Sequence, residues 1–111
     1  MIGYNPPPEM IPLIEQHRPQ IAALCTRFGV KRLELFGSAA RGDFTSQTSD
    51  VDFFVEFTDY TAPTIADQWF GLQEELEKLL SVSVDLVSPR TARNPFFLEL
   101  ANRDKVTLYA A

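Results

Sequence analysis

A chain of 111 residues, 45% hydrophobic and 12% aromatic, suits one compact α/β-sized domain spanning 1–111 and leaves no room for a second. Fifteen acidic against ten basic side chains set a formal net charge of -5, which repels polyanions and excludes non-specific nucleic-acid binding, yet leaves a local nucleotide site open. Cys25 is the lone cysteine, so an intrachain disulfide and a cysteine-built zinc site are excluded, and a reducing cytosol fits.

The first residues, Met1 to Asn5, lack both a basic region and an apolar one, and no run approaches the roughly 20 apolar residues of a membrane span. A cytoplasmic protein with no membrane contact is the expectation. Pro6, Pro7 and Pro8 favour an extended arm over residues 1–8. Pro12 and Pro19 split the next stretch into two short helices. The second starts near Pro19, carries Ile21, Leu24, Cys25 and Phe28 on one face, and stops at Gly29. His17, between the prolines, reads as a surface residue.

Residues 30–36 read as a strand closed by Gly37, and a brief turn or helix ends at Gly42 before the polar loop 43–49. Residues 50–57, rich in aromatic and β-branched types, form the next strand. Thr64 with Asp67 three residues on signals a capping box, after which Trp69, Leu72, Leu76, Leu79 and Leu80 recur at helical spacing to residue 80. Glu74, Glu75 and Glu77 read as its wet face, with Lys78 four residues from Glu74, and Trp69 as core. A third strand over 82–87 ends at Ser88-Pro89, Asn94-Pro95 opens a helix to about Asn102, and Val106 to Tyr109 forms a short last strand. This order implies an α/β fold, a mixed sheet flanked by helices.

Chemistry concentrates in the middle of the chain. Alternate side chains of a strand share a face, so Asp50 and Asp52 point one way with attachment points about 7 Å apart. Two carboxylates at that spacing can share divalent cations, and hard carboxylate oxygens are what magnesium prefers. Asp85 is the candidate third ligand, because it stands in an apolar frame, Val84-Asp85-Leu86-Val87, where an unpaired charge is costly. Gly37 lets a triphosphate approach the backbone, Ser38 and the N–H groups after it can hold terminal phosphates, and Arg41 can neutralise them. A P-loop is excluded, since Asp43-Phe44 stands where Lys and Ser/Thr are required. Arg90 and Arg93 follow the third strand and stay outside the proposed site.

Phe36-Gly37-Ser38, Arg41-Gly42, the spacing to Asp50-Val51-Asp52 and the later Asp85 together resemble the signature of the minimal nucleotidyltransferases (MNT proteins) of the DNA polymerase beta superfamily. The ending from Asn94-Pro95-Phe96-Phe97 to Val106-Thr107-Leu108-Tyr109 is similar to that family's C-terminus. The resemblance implies a single-domain nucleotidyltransferase fold, ATP as donor, magnesium with two ions bridged by Asp50 and Asp52, and Asp85 on the ion that activates the acceptor. It also implies a helical HEPN toxin as partner, neutralised either by AMP transfer to a tyrosine or by sheltering of its active site. Transfer to a small molecule such as an aminoglycoside needs an acceptor pocket for which 111 residues leave no space.

Overall fold

A computed structural model describes residues 11–37, 50–61, 63–89 and 94–111. The expected arm over 1–8 and the loop 43–49 lie outside those residues. Helix α1 spans Ile11–Gln16 and α2 spans Arg18–Arg27. Strand β1 is Val30–Phe36 and β2 is Val51–Phe57. Helix α3 covers Ile65–Leu80, β3 covers Val84–Val87, α4 covers Pro95–Asp104, and β4 covers Val106–Ala110.

The strands form one sheet in the order β3-β2-β1-β4. β1 runs antiparallel to both β2 and β4, whereas β2 and β3 are parallel, so the sheet is mixed as expected. A parallel neighbour needs a crossover, and α3 supplies it. The alternation of β2 sends Val51, Phe53, Val55 and Phe57 to one side, where they join Leu33, Leu35, Val84 and Leu86. Ile21 and Cys25 of α2, with Leu72, Leu76 and Leu80 of α3, close over that side as the main core. Phe36 and Phe54 point to the other side and pack with Val87 and with Leu98 of α4. Helices therefore cover both faces of the sheet.

The break between the first two helices falls at His17, so α2 starts beside Pro19 as expected, with the proline inside its first turn. Proline has no N–H to give to the carbonyl four residues back, so α1 cannot continue past its last turn. His17 is half-buried there, its Nδ1 2.8 Å from the Leu13 carbonyl oxygen, and is not the surface residue expected. Gly29 follows α2 at φ +70, the left-handed conformation that stops a helix, and its carbonyl accepts from the Thr58 N–H at 2.9 Å.

Thr64 does precede α3, but it makes no side-chain cap. Its backbone, φ -94 and ψ 13, is already close to helical, and its carbonyl takes the Gln68 N–H at 2.9 Å, so the hydroxyl is not aimed back at the first turn as a capping box requires. At the other end Ser81 takes the left-handed cap position at φ 57, without the glycine that would announce it in sequence.

The Glu74, Glu75 and Glu77 group is more than a wet face. Glu77 Oε2 accepts the Val84 N–H at 3.0 Å, and Gln73 Nε2 donates to the Val84 carbonyl at 2.8 Å. β3 is an edge strand, and these two side chains satisfy backbone groups that its position at the edge leaves unpaired. β3 begins at Val84, two residues later than the alternation of residues 82–87 suggests.

Candidate active site

The end of β1 and the start of β2 lie side by side, with Phe36 opposite Asp52 in the antiparallel register. Gly37, the next residue, adopts φ +78, and a β-carbon there would lie 2.5 Å from Asp52 Oδ2. Only glycine lets the strand end turn this tightly against the carboxylate. Beyond the room expected for a triphosphate, the glycine makes room for Asp52 itself.

On its other side β2 pairs in parallel with β3, and Asp52 stands in register with Asp85. Register neighbours point to the same face, and adjacent strands lie about 4.8 Å apart, so the two carboxylates share one side of the sheet within a side-chain length. Asp52 is half-buried and Asp85 exposed. The apolar frame around Asp85 therefore packs on the opposite face: Val84 and Leu86 are buried in the main core, while Asp85 stands in water. Desolvation is not what makes Asp85 a candidate ligand; its register with Asp52 is.

Asp50 directly precedes β2 and is exposed. Among the described residues no group of three histidine, cysteine or carboxylate side chains is gathered at metal-holding distance. Asp52 and Asp85 stand side by side in register, with Asp50 two residues before Asp52 in the chain. Ser38 and Arg41 lie outside the described residues, as do Arg90 and Arg93.

The donor set fits a divalent cation of the magnesium type. All three side chains offer hard oxygens, two are directly opposed in register, and the exposed side of the group leaves positions for water and phosphate oxygens. Trp69 serves elsewhere. Its ring is 6.0 Å from Phe57 on the main-core side, and it lines a shallow apolar groove with Tyr60, Ile65, Ala66 and Phe70, behind the sheet from the aspartates.

The family model of the nucleotidyltransferase domain matches residues 18–107, which is most of the chain and runs from the start of α2 into the first residues of β4. The chain belongs to the nucleotidyltransferase family. This nucleotidyltransferase is 36% identical over 80 residues to the candidate protein adenylyltransferase MJ1379 of Methanocaldococcus jannaschii, a match covering 72% of this chain and 78% of that one. Among solved structures it superposes on a candidate minimal nucleotidyltransferase at TM-score 0.68 and 33% identity, covering 84% of this chain and 90% of that one. It also superposes at TM-score 0.61 and 27% identity on a chain of a toxin–antitoxin complex, MntA with HpeT in a mutant form, covering 84% of this chain and 72% of that one. The mixed sheet with flanking helices is the minimal nucleotidyltransferase fold.

One group near the site escaped the sequence reading. Glu34, two residues before Phe36 on the same face of β1, is a polar side chain only 6% exposed. Lys105 Nζ stands 3.4 Å from its Oε2, and Thr107 Oγ1 donates to the same oxygen at 3.2 Å. No local pattern links positions 34 and 105; only the pairing of β1 with β4 brings them together.

Proposed function

We propose that this nucleotidyltransferase transfers AMP from ATP to a hydroxyl of a protein, and that the acceptor is a helical toxin of the HEPN type for which the chain is the antitoxin. The observation that carries this reading is the register of Asp52 with Asp85 on one face, beside the tight turn at Gly37. The likeness to a named protein adenylyltransferase and to a toxin–antitoxin chain supports the choice of acceptor class.

Each residue has a task in the proposed reaction. Gly37 and the N–H groups after it receive the β- and γ-phosphates, Ser38 donates its hydroxyl to them, and Arg41 offsets their charge. Asp50, Asp52 and Asp85 would hold magnesium, two ions in the full site, which when bound neutralises the phosphate oxygens and lowers the pKa of the acceptor hydroxyl. The acceptor oxygen attacks the α-phosphorus in line, a bond to that phosphorus forms as the bond to the bridging oxygen breaks, and pyrophosphate leaves. Asp85, exposed and adjacent to Asp52, takes the hydroxyl proton.

The test is an Asp50→Asn, Asp52→Asn double variant assayed with α-labelled ATP and the co-purified partner. Label transfer is expected to drop roughly a thousandfold or more, because the ligands act as a unit. Undiminished transfer would remove the aspartates from the mechanism. If the double variant still silences the partner in cells, neutralisation is by binding and not by AMP transfer.

A further inference from the structure

We infer that the small apolar cluster beneath α4 is the device that positions the carboxylates, with Phe54 and Leu98 as positioning residues; this rests on the nucleotidyltransferase reading of the same site. The cluster holds Phe36, Phe54, Val87 and Leu98 and is separate from the main core. Its sheet members are neighbours of the site on all three strands. Phe36 is in register with Asp52 and immediately precedes Gly37, Phe54 lies two residues after Asp52, and Val87 lies two residues after Asp85, the last two pairs each sharing a face by strand alternation. Phe54 and Val87 are themselves in register, one row behind the Asp52–Asp85 pair.

The rings of Phe36 and Phe54 stack diagonally across β1 and β2, centroids 4.2 Å apart and planes 23° from parallel. Such a stack resists sliding of one strand along the other, and a slip of one residue would send Asp52 to the opposite face. Leu98 presses on this group from α4, whose first turn Asn94 caps by accepting the Phe96 N–H at 2.9 Å. Phe36 and Phe54 are 5% and 3% exposed, so they are shut off from a nucleotide and act only through what they hold.

The experiment measures binding rather than turnover: calorimetric titration of the full chain with magnesium and AMPPNP, a non-hydrolysable ATP analogue. Phe54→Leu removes the stack and keeps apolar volume, Leu98→Ala lifts the contact from α4, and Val55→Ala opens a hole on the main-core face of the same strand. Affinity is expected to fall about tenfold or more for Phe54→Leu and Leu98→Ala, the usual cost of losing support behind ligands, and to stay within about twofold for Val55→Ala. Thermal midpoints confirm that all three are folded at the titration temperature. Equal losses in the three variants, or none in Phe54→Leu and Leu98→Ala, would overturn the positioning role while leaving the site in place. Failure of the unaltered chain to bind the analogue sinks the site itself, and this inference with it.

Discussion

Gly37 carries two constraints at once, a positive φ and the Asp52 carboxylate end, which any side chain there would have to displace. Gly37→Ala therefore strains the backbone by about 1–2 kcal/mol and drives a methyl group into the Asp52 carboxylate, displacing it. The expected result is a fall in AMP transfer of about a hundredfold, with a modest drop in thermal midpoint, read by label incorporation and by melting. At Cys25, burial pushes the thiol up to about 12 from an ordinary 9.0. Between those values the native state keeps a proton that the unfolded chain releases, so stability falls as pH rises through that window. The slope is at most about 1.4 kcal/mol per pH unit. Urea unfolding at pH values across the window should show that decline, and Cys25→Ala should lack it.

Among the elements, α3 joins sequence to site most directly, because it returns the chain from β2 to β3 in the parallel sense and so brings Asp85 beside Asp52. Its buried leucines and its bounds match the sequence pattern, whereas the capping contact expected of Thr64 is not made, since capping depends on backbone angles that side-chain type only biases. The Glu77 and Gln73 contacts to Val84 follow from that return path. Glu77→Ala leaves the Val84 N–H without this partner at the sheet edge and should cost about 1–2 kcal/mol in denaturant unfolding. Glu77→Gln keeps an accepting oxygen, and its unfolding midpoint should stay close to that of the unaltered chain. The surface pairs Arg18–Glu15 and Lys78–Glu74, although short, are exposed and contribute little by comparison. Glu15 is held below the usual carboxylate range by its hydrogen bond from Arg18, yet it stands fully in water.

Over the whole molecule, the acidic balance and the carboxylate face act together: a chain of net charge -5 does not attract a polyanion without a cation to mediate. It should pass unretained through immobilised heparin at neutral pH and low salt, and retention there would count against an acceptor other than nucleic acid. The element types were legible in the chain alone, and Gly37, Asp50, Asp52 and Asp85 stand out there as candidates, because strand alternation, glycine placement and motif spacing are local properties. The apolar neighbours of Asp85 do not bury it, because Val84 and Leu86 pack on the other face. Tertiary structure alone decided that β3 lies parallel to β2 with Asp85 against Asp52, that Glu34 is paired by Lys105, and that Phe36 and Phe54 form a second core under α4. Those facts depend on which strand edges meet and in what register, and register is set by packing between segments far apart in the chain.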